Sequence, residues 1–288
     1  MENNTGSSAL IIGIIILAGI YYFAIYSPDK DQPYEVPNYN KPILNYSNVA
    51  NQSINESKPF ESETVLMASW NIGPYTKTKA SDNKLIDAYL EKIKEYDIMF
   101  LQGIRDSSGE AFDKLCYNLQ EYNCHLTSGS GKEYTERTGI IYKKGIKLDS
   151  IKDYEPDAEQ RWNRPPIQTT FQINQEEINT YNIHADKNNV KEELDHLSDI
   201  ITLQEKNIIL GTLYADCLHY ARSVYQQFEL WTWAIQDYQD TTTGIEHCSY
   251  DRILFNYRLK ENYLNSGINK DIDKTLSDHY IVWIELKV

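Results

Sequence analysis

The chain has 288 residues, 41% hydrophobic and 24% charged, the composition of a globular protein with room for one large domain or two small ones. Its net charge of −14 and isoelectric point near 4.9 argue against a protein held on nucleic acid by a general basic field. They leave open an enzyme that touches a phosphodiester locally through a cation.

In chain order, residues 1–8 (MENNTGSS) form a short polar head. Residues 9–26 read ALIIGIIILAGIYYFAIY, uncharged and just long enough to cross a bilayer as a helix. Tyr21, Tyr22 and Tyr26 crowd one end, where interfacial aromatics belong. A cleaved signal peptide fits less well, because the head carries Glu2 and no Lys or Arg, and no small-x-small cleavage site follows the apolar run. The expectation is a separate N-terminal hydrophobic helix that enters a membrane or self-associates. Residues 27–63 place Pro28, Pro33, Pro37, Pro42 and Pro59 among Asn, Ser, Tyr and acidic residues, a linker composition that cannot bury a core. Three sequons, Asn45-Tyr46-Ser47, Asn51-Gln52-Ser53 and Asn55-Glu56-Ser57, cluster there and fit a glycoprotein stalk on an extracytoplasmic face. The four cysteines point the same way: an even count that allows two disulfides by three pairings.

Residues 64–288 read as one α/β domain rich in antiparallel strands. Hydrophobic periodicity predicts strands at 65–70, 97–102, 138–143, 167–173, 177–184, 207–210, 250–256 and 280–286, with helices at 83–95, 109–120 and 190–204. Trp231 and Trp233 read as core aromatics, and His125, His196, His219 and His247 as surface or structural histidines.

Polar residues recur where the strands stop. Asn71 follows MASW, Gln102-Gly103-Ile104-Arg105-Asp106 follows YDIMFL, and Glu136 opens TGIIY. His184-Ala185-Asp186 follows INTYNI, Gly211-Thr212-Leu213-Tyr214-Ala215-Asp216-Cys217 follows NIIL, and Ser249-Tyr250-Asp251-Arg252-Ile253 opens the penultimate strand. Ser277-Asp278-His279 begins the last. In collinear order over residues 64–288, these landmarks resemble the deoxyribonuclease I-like family of the endonuclease/exonuclease/phosphatase fold.

The resemblance implies a four-layer sandwich of two mixed β-sheets flanked by helices. It implies a phosphodiesterase that uses a divalent cation, Mg²⁺ or Ca²⁺, and two histidines, each oriented by a carboxylate. Carried over by position, His184 pairs with Glu136 and His279 with Asp251 as catalytic dyads. Asn71 and Asp278 fall on metal or phosphate contacts, and Arg105, Tyr134 and Arg164 on substrate contacts. The family also implies a Cys217–Cys248 disulfide, which leaves Cys116–Cys124 as the remaining pair.

Three positions depart from the family. Its strand-ending Gln-Glu, which supplies the principal metal ligand, is Gln102-Gly103 here. Its loop Gly-Asp-Phe-Asn-Ala-Asp is Gly211-Thr212-Leu213-Tyr214-Ala215-Asp216, so a second metal-supporting Asp and a phosphate-holding Asn are Thr212 and Tyr214. The expectation is a catalytically impaired pseudonuclease, membrane-anchored or at the cell surface, that needs no cofactor and serves binding or assembly. Its partners would be the membrane or other copies through residues 9–26, as a homo-oligomer or filament, with nucleic-acid binding weak or absent. The layout is similar to that of pilin-like filament subunits, though it lacks their basic leader and offers Gly6-Ser7 as a processing point. The competing expectations are an active enzyme with relocated ligands (Asp278, Asn71 and Asp186) and a lipid- or sugar-phosphate hydrolase. Gly103→Glu with Thr212→Asp and Tyr214→Asn is expected to restore nicking if the dyads remain aligned.

Overall fold

The computed structural model describes residues 59–131, 135–154, 161–221 and 227–288. The expected head, the hydrophobic helix at 9–26, the sequons and most of the linker lie outside the described residues. Among the described residues, no helix is long and apolar enough to cross a membrane.

The first sheet contains β1 (Thr64–Tyr75), β2 (Ile98–Ile104), β3 (Tyr122–Leu126), β4 (Arg137–Lys143), β11 (Tyr263–Asn269) and β12 (Ile281–Lys287), in the order β11-β12-β1-β2-β4-β3. The second contains β5 (Lys147–Asp153), β6 (Ile167–Ile173), β7 (Glu176–His184), β8 (Asn207–Thr212), β9 (Thr232–Trp233) and β10 (Asp251–Phe255), in the order β5-β6-β7-β8-β10-β9. Each sheet is mixed, with a parallel pair at its centre: β1 with β2, and β7 with β8. Parallel neighbours need a crossover. Helices α1 (Lys77–Ser81) and α2 (Asn83–Ile93) supply it for the first pair, and α4 (Val190–Asp199) for the second. Helix α3 (Glu110–Tyr117) lies between β2 and β3 in the chain. The Asp82 carboxylate accepts the backbone N–H groups of Lys84 and Leu85 and so starts α2 at that residue.

Strand alternation divides the apolar residues into three cores. Val65, Met67, Ile98, Phe100, Phe171, Ile208, Leu210, Ile253 and Ile284 meet between the sheets. The opposite face of the first sheet sets Trp70, Ile72 and Leu101 against Tyr89, Ile93, Phe112 and Leu115 of the helices. The opposite face of the second sheet sets Tyr181, Ile183, Ile209 and Leu254 against Leu194 and Leu197 of α4. The layers are therefore helix, sheet, sheet, helix. Trp231 and Trp233 are both buried in the third core.

Strands β3, β5, β9 and β11 were not expected from periodicity, and all four are sheet edges. An edge strand half-exposed to water carries little apolar alternation, and charges such as Lys147, Asp149, Lys152 and Asp153 blunt it against pairing with another chain. Helix α4 ends at Asp199, five residues short of the expected 204, because the chain turns there to reach β8.

Both disulfides form as paired above. Cys116–Cys124 ties the end of α3 to the edge strand β3, and Cys217–Cys248 ties the loop after β8 to the segment before β10. The second closes a loop with a sequence separation of 31. The chain-entropy model gives such a loop roughly 3.6 kcal/mol. Replacing Cys217 and Cys248 together by serine should lower the stability in urea by about that amount. Unchanged unfolding midpoints would show that the bridge does not constrain the unfolded chain.

Candidate active site

Along each central strand the residues that face the other sheet change from apolar to polar towards one end. Val65 and Met67 give way to Ser69 and Asn71 in β1, and Ile98 and Phe100 to Gln102 in β2. Ile208 and Leu210 give way to Thr212 in β8, and Phe255 and Ile253 to Asp251 in the antiparallel β10. In β7 the same face runs from Ile178 through Thr180 and Asn182 to His184. Strand register then sets these ends in two rows: Asn71 beside Gln102 in one sheet, and His184, Thr212 and Asp251 side by side in the other. The rows lie at the carboxyl ends of the two parallel pairs, where open α/β sheets place their ligands.

Two histidines complete the rows. Glu136, just before β4, meets His184 through Nδ1. His279, just before β12, puts its Nδ1 2.7 Å from Asp251 Oδ2. Its backbone is held by two bonds: His279 N–H donates to Ser277 Oγ, and Trp70 Nε1 donates to the His279 carbonyl at 3.1 Å. Burial pushes the His184 imidazole below its ordinary value despite the nearby Glu136. For His279 burial also opposes the charge, but Asp251 outweighs it and the value rises. Burial works against the Glu136 carboxylate too, yet His184, Arg164 and Arg105 hold it at about 2.

Three uncharged side chains join the rows. The Asn71 amide donates to Thr212 Oγ1 at 3.1 Å, and its nitrogen lies 3.4 Å from His184 Nε2. Thr212 Oγ1 lies 2.6 Å from Asp251 Oδ1, to which it donates, and the Thr212 backbone N–H donates to Gln102 Oε1 at 3.1 Å. Gln102 Nε2 in turn donates to Asn182 Oδ1 and the Ile183 carbonyl.

The expected cation does not fit this donor set. Asn71 Oδ1 accepts the Gly73 backbone N–H at 3.0 Å, and Asp251 uses one carboxylate oxygen for Thr212 and the other for His279. Among the described residues, no three His, Cys, Asp or Glu side chains converge as metal ligands. Gly103 has φ of +82°, and a Cβ built there would sit 2.4 Å from Gly73 Cα and 2.9 Å from Asn71 Oδ1. The backbone of Gly73 therefore leaves no room for a side chain at position 103. Asp278 points outward with its side chain 76% exposed, 3.8 Å from His279 Nε2. Asp186 turns away, accepting from Asn163 Nδ2 and from the Asn188 backbone N–H.

The substrate-contact positions are engaged as well. Arg164 donates to the His184 and Ala185 carbonyls, and Arg105 Nε lies 3.5 Å from Glu136 Oε2. Tyr134 lies outside the described residues. Tyr214 stacks its ring on His184 with centroids 6.1 Å apart and meets Tyr250 at 5.0 Å. It borders a cleft of about 830 Å³ whose wall includes Leu218, His219, Ile245, Asp278 and His279. Two supporting residues had no signal beyond their helical or strand position. Glu193 of α4 is buried and pushed up to about 7; it accepts the Asn163 and Asp186 backbone N–H groups and so anchors both loops beside His184. Arg252 is fully buried and donates to the Ala215 and Ile235 carbonyls, which fixes the loop that follows Thr212.

Two consequences can be measured. Glu136 falls from its ordinary 4.5 to about 2 on folding, so its contribution is fully present above about pH 4.5 and is lost as the pH falls towards 2. Glu136→Gln should remove on the order of 3 kcal/mol at neutral pH and flatten the acid limb of the stability profile across that window. A parallel acid limb in the variant would contradict this. Gly103→Glu, expected from sequence to help restore activity, should instead destabilise the domain, because the left-handed φ and the Gly73 backbone both oppose a side chain. The triple replacement should give no metal-dependent nicking unless the turn at Gly73 moves, and robust nicking by it would show that the turn yields.

No protein-family model matches the chain. Human deoxyribonuclease-1 is 28% identical over 259 residues, covering 77% of this chain and 92% of the relative. Deoxyribonuclease-1-like 1 of Chlorocebus aethiops is 26% identical over 254 residues, covering 77% and 84%. Among solved structures, an endonuclease/exonuclease/phosphatase family protein from Bacteroides thetaiotaomicron superposes with a TM-score of 0.59 at 15% identity, covering 80% of this chain and 98% of that one. Sequence, fold and the collinear order of the site residues agree: over most of its length this chain is similar to the deoxyribonuclease-1 proteins, and it has the endonuclease/exonuclease/phosphatase fold.

Proposed function

We propose that the domain is a catalytically impaired deoxyribonuclease I-like protein used for binding or surface assembly on an extracytoplasmic face. The observation that carries this reading is the approach of Gly73 to Gly103, which leaves no room for a metal-binding side chain at that strand end. Asn71 supports it, since its amide and its carbonyl oxygen both have partners within the protein. Tyr214 supports it too, placing an aromatic ring over His184 where the family holds a phosphate. Two disulfides fit an oxidising compartment.

One observation favours a working phosphodiesterase: both histidine–carboxylate dyads are assembled. General acid–base chemistry is worth about a hundred- to ten-thousandfold, but it needs a stabilised scissile phosphate on which to act. A plasmid-nicking assay with Mg²⁺, Mn²⁺ and Ca²⁺ separates the two. Removing one electrostatic stabiliser of a transition state costs about a hundred- to a thousandfold, so activity should lie at least about a thousandfold below that of an intact relative. Mg²⁺-dependent cleavage at a relative's rate, lost on His279→Ala, would sink the impaired reading.

The anchoring half of the proposal rests on residues 9–26 and has its own test. Removing residues 1–30 should give a soluble monomer, because the core begins at Thr64 and Val65. Light scattering that finds full-length and truncated chains equally monomeric in detergent-free buffer would remove both the anchor and the assembly helix.

A further inference from the structure

Both dyads and two of the polar pairs at the site join one sheet to the other, and the Thr212–Asp251 bond within the second sheet links them. Glu136 precedes β4 of the first sheet, and its histidine, His184, belongs to β7 of the second. Asp251 belongs to β10 of the second sheet, and His279 precedes β12 of the first. Asn71 reaches from β1 to Thr212 of β8, and Gln102 from β2 to Asn182 of β7. Donors and acceptors along this line follow once the Thr212 hydroxyl is assigned to the shorter of its two contacts, Asp251 Oδ1 at 2.6 Å rather than Gln102 Oε1 at 3.0 Å, which keeps the Thr212 backbone N–H as its donor. With His184 neutral, its Nδ1–H donates to Glu136 and its Nε2 lone pair faces one Asn71 amide hydrogen; the other goes to Thr212. The single Thr212 hydroxyl proton goes to Asp251, whose second oxygen accepts His279 Nδ1–H.

We infer that these residues form a cation-independent clasp between the two sheets, with the neutral Thr212 hydroxyl filling the place where a second carboxylate would call for a divalent cation. Thr212 and Asp251 are register partners. Two carboxylates at that spacing could not both stay ionised without a counter-charge. With threonine there, each buried anion already has its partner: Glu136 has His184 and two arginines, and Asp251 has His279 and Thr212. The histidine dyads then have a reason to persist that is separate from catalysis. The inference rests on the impaired-enzyme reading in taking the donor set as closed to a cation. The two can fail separately, since nicking reports the chemistry and melting reports the clasp.

The test is thermal unfolding of the full chain at constant ionic strength in EDTA, Mg²⁺ or Ca²⁺. The parent should melt at the same temperature in all three. Thr212→Val leaves Asp251 Oδ1 and Asn71 Nδ2 without their partner and should lower the midpoint by about 5 °C. Thr212→Ser keeps the hydroxyl and should melt close to the parent. Thr212→Asp should melt low in EDTA and recover part of the loss in Mg²⁺ or Ca²⁺. The clasp is overturned if either cation raises the parent's midpoint by several degrees, or if Thr212→Val melts like the parent. It is equally overturned if Thr212→Ser falls as far as Thr212→Val. The cation series on the parent decides the matter even if a variant fails to fold.

Discussion

The contact between the Thr212 hydroxyl and Asp251, 2.6 Å long in a place closed to water, conditions everything else at this end of the sandwich. A hydroxyl there can give its proton to Asp251 while taking one from Asn71, so it links two sheets without adding charge. Asp251 stays the lone buried anion of its row, and one histidine suffices to balance it. Asn71 is then tied down on both sides, by Thr212 and by the Gly73 N–H. Beyond Asn71 the register of β1 against β2 shifts, between Asn71 and Tyr75. Gly73 and Gly103 approach each other closely in that same stretch. Restoring a glutamate without reopening the turn would force a side chain into occupied backbone.

Much of the fold was legible because central strands are buried on a period of two. The predicted strand at 167–173 coincides with β6, whose burial alternates strictly along its length. Edge strands escaped for the same physical reason in reverse: β5 reads KLDSIKD, in which water satisfies one face and no apolar alternation is needed. The site residues were legible as polar punctuation at strand ends, and Glu136, His184, Asp251 and His279 do come together in pairs. What they bond to was not legible. That Asn71 would be taken up by Thr212 depends on two strands in different sheets, 141 residues apart in the chain. That Gly103 is sealed by Gly73 depends on how β1 and β2 come together after the register shift between Asn71 and Tyr75, which a Gly-Pro turn signal alone does not specify. Glu193 looked like any acidic residue in a helix's first turn until the loops at Asn163 and Asp186 were seen to bond to it.

Retention of a catalytic motif is usually taken to mean retention of its chemistry, but the geometry here separates the two. A histidine–carboxylate pair that spans two sheets is a buried hydrogen-bonded contact between layers, and removing one partner would leave the other unsatisfied in a low-dielectric interior. Such a pair resists loss whether or not a substrate ever arrives. Gly103, by contrast, has no cross-sheet partner to lose, and a metal ligand facing a cation rather than another side chain is the part of a site that can go without unfolding the domain. The two assembled dyads are contacts that packing alone would preserve. Tyr214 follows the same logic. Its ring lies on the His184 imidazole and against Tyr250, adding apolar contact at the mouth of a cleft whose rim exposes Leu218 and Ile245.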